Sequence, residues 1–443
     1  MKLSKYNFFF PIDEKDNYLA FNSLKNGLAV FPGKLVKLLQ SFQPGSNLEV
    51  PENTLTELKK GGFICDDDYD EYGMLLVRRH LQQYSGDITL GLTIAPTLSC
   101  NLSCNYCFES PQNIKMDQTI ISQVLEFTKK RIDAGLKNLY VTWYGGEPIL
   151  CLDIIEELSR LLIGLCDQNK VKFNAHIITN GTLFTRATAE KLKSLKVNSV
   201  QITIDGDREM HDTRRPYHSG KGSYDDIYSN VIESAGIIPI SLRVNVDREN
   251  LDAVLDSFKK MHSDLRLKDH FKKGDIKVNY GFVRKFSSSC RCSEEECLKP
   301  GEFWQEELKL HQHLYEKDIA YSHYPSISSG CVATTINGYV VGPQGELYKC
   351  WNHIGENELI VGYIDKEIRL DSLYISYLNE SFENDVNCRE CKVLPICMGG
   401  CVDIRINYKK GTFSAIDCSR WKYYLEESLK AYYFASLKKP GAA

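Results

Sequence analysis

Three cysteines, Cys100, Cys104 and Cys107, fall within the stretch Cys-Asn-Leu-Ser-Cys-Asn-Tyr-Cys. Offsets of four and three residues put three thiols in one loop. A [4Fe–4S] cube usually takes four thiolates; three can hold it through three irons and leave the fourth open to a ligand. An open iron is a place where chemistry can happen. A zinc knuckle is the alternative, but zinc sites typically show paired CxxC units and four ligands, and this loop has neither. The preceding residues, Ile88–Ile94, alternate like a strand, so the loop starts where a strand stops.

The chain has sixteen cysteines. Thirteen fall in this loop or after position 280, mostly at short spacings. In a reducing compartment such clusters are metal ligands more often than disulfides. Thirteen residues separate Cys331 from Gly345 and four separate Gly345 from Cys350. Cys388-x2-Cys391-x5-Cys397-x3-Cys401 follows, and then Cys418. Cys290, Cys292 and Cys297 form a further group open to three readings: cluster ligand, redox pair or local disulfide. Cys65, Cys151 and Cys166 lie in apolar stretches and read as buried packing residues.

Those thiols need elements to place them. With 443 residues and 43% hydrophobic content, the chain can build two or three domains. A net charge of −4 gives no basic stripe for nucleic acid. No apolar run is long enough to span a bilayer, and the start lacks a signal peptide's apolar region, which points to a cytosolic protein. Residues 87 to about 285 alternate strand and helix. The strands are expected at 88–95, 139–144, 172–178, 199–204, 240–246 and 276–283, with helices at 117–134, 152–168, 185–196, 223–235 and 251–262. That alternation implies a parallel α/β sheet. Before it, 6–11 and 18–21 read as short strands, and 35–42, 54–60 and 69–83 as helices. After it, cysteines and turns dominate until a helical stretch at 421–437, whose Trp421, Tyr424, Leu425, Leu429 and Tyr432 read as a packing face.

Three short segments sit at the ends of expected strands, and a fourth follows the last of them. Gly145-Gly146-Glu147-Pro148 offers two glycines that permit close backbone approach and a carboxylate for a cation. Thr179-Asn180-Gly181 ends the third strand and Thr203-Ile204-Asp205-Gly206 the fourth. His211-Asp212-Thr213-Arg214-Arg215 follows, and a guanidinium there can pair with a carboxylate in two-pronged fashion.

Together these motifs resemble the radical S-adenosylmethionine (radical SAM) enzymes, and the seven-cysteine pattern resembles their SPASM domain. The resemblance implies a partial (β/α)6 barrel over 87–310, with a site at the carboxyl ends of its strands. It also implies a SPASM unit over 311–443 and a winged-helix-like leader-recognition domain over 1–86. By resemblance, Cys100, Cys104 and Cys107 hold the cluster whose open iron binds S-adenosylmethionine. Tyr106, Gly145, Gly146, Glu147, Thr179, Asn180, Thr203, Asp205 and Arg215 would surround that cofactor. Thr203 stands where the family usually has Ser and keeps the hydroxyl. Cys388, Cys391, Cys397 and Cys418 would hold one auxiliary cluster and Cys331, Cys350 and Cys401 the other, giving three [4Fe–4S] clusters. The fourth ligand of the latter is open. The implied activity is hydrogen abstraction by a 5′-deoxyadenosyl radical from a ribosomally made precursor peptide, ending in a thioether, carbon–carbon or ether cross-link. The leader segment would bind by adding a strand to a sheet edge, and flavodoxin or ferredoxin would supply electrons. Two alternatives stand beside it: oxidation of a Cys or Ser to formylglycine, as in anaerobic sulfatase maturases, and a zinc-rich structural or binding protein.

Overall fold

The computed structural model describes residues 1–85, 88–284, 290, 295, 297–316, 324–327, 331–366, 368, 370–412, 416 and 418–437. Among the described residues no helix is long and apolar enough to cross a membrane.

The amino-terminal part is built on an antiparallel meander of β2 (Asn7–Pro11), β3 (Asn17–Asn22) and β4 (Gly27–Pro32). A small ladder of β1 (Lys2–Leu3) and β5 (Ile64–Cys65) lies beside it. Helices α1 (Gly33–Ser41), α2 (Glu52–Lys60) and α3 (Glu71–Tyr84) complete it. Strand β3 is covered on both faces because successive side chains point opposite ways. Ala20 joins Phe31, Val36, Leu39, Leu58 and Phe63 in a local core. Its neighbours Leu19 and Phe21 pack instead against Val393, Ile396, Leu425 and Leu429, far along the chain. Tyr6, Leu24 and Leu75 likewise pack on Phe382 and Leu394. The amino-terminal sheet is therefore one wall of the carboxyl-terminal part.

The centre is a nine-stranded sheet in the order β11-β10-β9-β8-β7-β6-β12-β13-β14. Strands β6 (Thr89–Ile94), β7 (Asn138–Trp143), β8 (Lys172–Thr179), β9 (Val197–Thr203), β10 (Ile240–Val246) and β11 (Ile276–Phe282) pair in parallel, each with its sequence neighbour. Parallel neighbours need crossovers. These contain α4 (Gln118–Asp133), α5 (Leu152–Gln168), α6 (Arg186–Ser194), α7 (Arg208–Arg214), α8 (Tyr224–Ser234), α9 (Leu251–Ser263) and α10 (Lys268–Lys273). One row of each strand, such as Leu242, Val244 and Val246 of β10, joins the helices in the main core. The sheet then gains strands from the carboxyl-terminal part. β12 (Gly338–Val341) pairs in parallel with β6 and continues antiparallel into β13 (Glu346–Tyr348) and β14 (Gly362–Tyr363).

At the other edge, α11 (Pro300–Glu316) packs with α16 (Trp421–Leu437), which has a non-helical residue at Tyr424. Tyr424, Leu425 and Leu429 are buried, as a packing face requires, while Tyr432 is exposed. Among the short helices α12 (Ser372–Asn379), α13 (Val386–Arg389), α14 (Leu394–Cys397) and α15 (Val402–Lys409), α13 holds Cys388, α14 ends on Cys397 and α15 starts after Cys401. Cys151 and Cys166 are buried, whereas Cys65 is only half-buried at the end of β5, where the ladder leaves one face open.

Candidate functional site at the carboxyl ends of the strands

Cys100, Cys104 and Cys107 lie in the loop after β6, and main-chain bonds hold that loop from two sides. Ser103 N–H donates to the Pro216 carbonyl at 2.8 Å and Asn105 N–H to the Arg214 carbonyl at 3.1 Å. From the β7 side, Glu147 N–H donates to the Ser99 carbonyl at 2.8 Å. This explains the paired glycines. A Cβ on Gly145 would stand 2.3 Å from the Thr97 carbonyl oxygen, and one on Gly146 would stand 2.4 Å from that of Ser99. Their close approach is to the cysteine loop itself.

Glu147 is fully buried. Its carboxylate accepts from Ile149 N–H at 3.0 Å, Thr179 Oγ1 at 2.7 Å and Asn180 N–H at 2.7 Å. It ties the ends of β7 and β8 together. Asn180 in turn donates to Asn101 Oδ1 at 2.8 Å and reaches Cys100 Sγ at 3.7 Å. Thr203 ends β9 as a buried residue.

A second knot surrounds Tyr106. Its hydroxyl donates to Asp205 and accepts from Arg215, and Asn245 Nδ2 lies 3.2 Å away. The other Asp205 oxygen accepts Asn245 N–H at 2.8 Å. Both oxygens are thus in use, which suits a role in holding the surroundings. His211 closes the knot from behind, between Asp205 N–H and the Ser223 hydroxyl, and burial lowers its pKa well below the usual value.

Sequence reasoning singled out Arg215 and passed over Arg214. Arg214 is 1% exposed, pairs with Asp247 at 2.7 Å and lies over the Tyr106 ring at 5.0 Å. Removing its charge strands Asp247 in the interior. Arg214→Met is therefore expected to cost about 3–5 kcal/mol, read as a lower urea midpoint. Glu109 was also missed. Burial pushes its carboxyl up to about 7, although Tyr144 hydrogen-bonds it. Tyr144 stacks on Trp351, with ring centroids 6.0 Å apart, linking this loop to the residue after Cys350.

The late cysteines sort into two neighbourhoods by mutual electrostatic influence. Cys350 feels Cys331 and Cys401, and Cys401 feels Cys331. Cys397 feels Cys418 and Cys391, and Cys388 feels Cys397. In the first neighbourhood, ligand atoms of Cys350, His353 and Asp403 lie within 4.8 Å of one another. His353 Nε2 is 2.9 Å from Asp403, whose carboxylate also accepts from Tyr377 at 2.7 Å. Cys290 is buried and packs with Val283, near Tyr106 and Cys297. Cys292 lies outside the described residues.

Residues 94–261 match the family model of the radical SAM superfamily. A cysteine-type anaerobic sulfatase-maturating enzyme of Clostridium novyi (strain NT) is 26% identical, over 77% of this chain and 96% of its own. The radical SAM cyclopropyl synthase TigE of Paramaledivibacter caminithermalis is 22% identical, over 94% of this chain and 92% of its own. Among solved structures, anSMEcpe with bound AdoMet and the Kp18Cys peptide aligns with a TM-score of 0.63 at 20% identity, covering 79% of this chain and 99% of that one. Streptococcus suis SuiB bound to precursor peptide SuiA aligns with a TM-score of 0.51 at 17% identity, covering 95% and 98%. The parallel sheet with its cysteine loop at the strand ends is thus the radical SAM fold. The chain carries a radical SAM domain and is a radical SAM enzyme, a family that uses a [4Fe–4S] cluster and S-adenosylmethionine.

The three thiols fit such a cluster. Burial pushes Cys100 and Cys107 up to about 12, and each also feels Cys104. Thiols held neutral in this half-buried loop become thiolates when a metal supplies the positive charge. Asn180 beside Cys100 adds the outer hydrogen bond that orients a ligand.

Proposed function

We propose that the chain is a radical SAM maturase of a ribosomally made peptide. One observation carries this reading: an open strand edge beside a groove, on a wall continuous with the cysteine-rich part. Among the described residues β4 has no neighbour beyond β3, and its Val30 is 41% exposed. An uncovered apolar edge invites a further strand. Beside it, a cavity of about 310 Å³ is lined by Leu28, Ala29 and Phe31 of β4 and by Thr54, Glu57 and Leu58 of α2. A leader segment added there would bind through main-chain bonds, with the groove setting its register. Coverage supports the same reading. TigE and SuiB run along more than nine-tenths of this chain, whereas the sulfatase maturases leave about a fifth unmatched.

In this reading Cys100, Cys104 and Cys107 hold the cofactor-binding cluster. When bound, the cluster and S-adenosylmethionine supply hydrogen abstraction from an unactivated carbon of the peptide. The chain's own residues position and seal that site. Gly145 and Gly146 seat the loop, Glu147 and Asn180 fix its β8 side, and Arg215 and Asp205 fix Tyr106 on the other. Arg215 offers a guanidinium to the cofactor's carboxylate, and Thr203 offers a hydroxyl to the cofactor. Cys388, Cys391, Cys397 and Cys418 hold one auxiliary cluster, and Cys331, Cys350 and Cys401 hold a second. Bound there, auxiliary clusters would supply an acceptor for the electron released when the new bond forms. A flavodoxin or ferredoxin in a reducing cytosol would feed the first cluster.

Filling the groove tests the reading in the full chain. Thr54→Trp is expected to weaken binding of a labelled leader peptide at least about tenfold from a micromolar affinity, about −8 kcal/mol, measured by fluorescence anisotropy. The peptide is the leader encoded by any short reading frame found beside the gene. Cofactor cleavage without peptide should be unchanged. Unaltered leader affinity would remove the groove from the account. The sulfatase-maturase reading predicts a different result: a leaderless Cys- or Ser-containing sulfatase peptide would gain formylglycine.

A further inference from the structure

Arg243 occupies the middle of β10, opposite Thr203 of β9 and Asn279 of β11. Its neighbours Leu242 and Val244 point into the helix-side core. Alternation therefore turns Arg243 to the other face of the sheet, the inside of the barrel. Asn245, two residues on, reaches the Tyr106 hydroxyl from that same face. The row leads directly to the candidate site.

Among the described residues the guanidinium uses one of its nitrogens: Nε donates to Asn245 Oδ1 at 3.0 Å. Among the described residues no carboxylate pairs with it. Asp205 is spent on Tyr106 and Asn245 N–H, and Glu307 on Arg420 and Tyr424. Arg214, by contrast, has Asp247. Burial lowers the Arg243 pKa, against the raising fields of Asp205 and Tyr106. Arg243 is half-buried, and a cation drawn into the barrel without a counter-charge is costly to desolvate; such a group persists where a ligand completes it.

The facing strand makes room for this head group. Gly281 pairs with Asn245, and a Cβ there would stand 1.5 Å from Arg243 Nη2 and 1.8 Å from Cζ. The Gly281 backbone lies outside the left-handed region, so the glycine is needed for space and not for conformation. Any side chain at 281 would displace the guanidinium. The cradle thus holds a planar fork of donors over a bare strand, which is the shape that takes a carboxylate through two parallel hydrogen bonds.

We propose that Arg243 anchors a carboxylate of the peptide substrate, an acidic side chain or the chain end, inside the barrel. The contact sets which residue of the peptide is brought to the cofactor. This rests on the peptide-maturase reading above. The same chemistry could come from the methionyl carboxylate of S-adenosylmethionine, and the test separates the two sources.

Anaerobically reconstituted full-length enzyme, saturated with S-adenosylmethionine, is dialysed to equilibrium against N-acetyl-aspartate amide or N-acetyl-asparagine amide. The wild type should bind the aspartate compound about tenfold or more tighter, the size of one charge-assisted hydrogen bond. Arg243→Gln should erase that preference, Arg243→Lys should retain part of it, and Gly281→Ala should reduce it by moving the head group. S-adenosylmethionine affinity should be unchanged in Arg243→Gln. No preference in the wild type overturns the proposal without recourse to any variant. So does a preference that survives Arg243→Gln. A tenfold loss of S-adenosylmethionine affinity in that variant would assign the guanidinium to the cofactor and equally overturn it. The comparison needs no leader, so its failure is distinguishable from failure of the groove experiment.

Discussion

Replacing Cys100, Cys104 and Cys107 together by alanine is expected to abolish formation of 5′-deoxyadenosine from S-adenosylmethionine under dithionite. The loop is held by main-chain bonds to Pro216, Arg214 and Glu147 and by the side chains of Asn101 and Tyr106, none of which the substitutions touch, so the fold should survive the change. Iron should fall by about four atoms per chain, one cube, while the late cysteines keep theirs. Chromatography of the nucleoside products and an iron assay read both outcomes. Wild-type cofactor cleavage in the triple variant would place the radical chemistry elsewhere.

The second large effect belongs to Cys388 and Cys391. Changing both to alanine should remove about four irons and eliminate modified peptide, while some cofactor cleavage continues at the first site. The structure adds a further consequence. Both residues border the clusters where Tyr6, Leu24, Leu19 and Phe21 of the amino-terminal part meet Leu394, Ile396 and Leu425. Arg405 reaches Cys388 Sγ at 3.7 Å and pairs with Glu380 and Asp385. Leader affinity should therefore weaken together with product yield, because the wall carrying β4 rests on this region. Full product yield from the double variant would leave the late cysteines without a part in the reaction. For the same reason deletion of residues 1–86 would not test leader binding cleanly, since it uncovers Leu425 and Leu429.

The central sheet was legible because its signals are local. Each apolar run of β6 to β11 is bounded by polar turns, and the expected strands match the observed ones to within a residue or two at most ends. The motifs at the strand ends were legible as well, and the structure brings the cysteine loop, Glu147, Asn180, Asp205 and Arg215 to one end of the sheet. What escaped depends on contacts distant in sequence. β12 is four residues long and joins β6 across more than 240 positions, and nothing in Gly-Tyr-Val-Val announces that pairing. β4 escaped because Gly-Leu-Ala-Val-Phe-Pro lacks the period-two alternation of a half-buried strand. Arg214 and Arg215 are adjacent at the end of a short helix, so only the fold decides that one meets Asp247 and the other Tyr106. Arg243 reads in sequence as an ordinary strand residue; Gly281, 38 positions later, is what makes room for it.

The account is tested most directly by mass spectrometry of a peptide turned over by the enzyme. The peptide is the full precursor encoded by any short reading frame found beside the gene, incubated anaerobically with reconstituted enzyme, S-adenosylmethionine and dithionite. The account predicts loss of two hydrogens within the core segment, with the leader unmodified and 5′-deoxyadenosine formed alongside. An unmodified precursor, together with conversion of a leaderless sulfatase peptide to its formylglycine form, would contradict it.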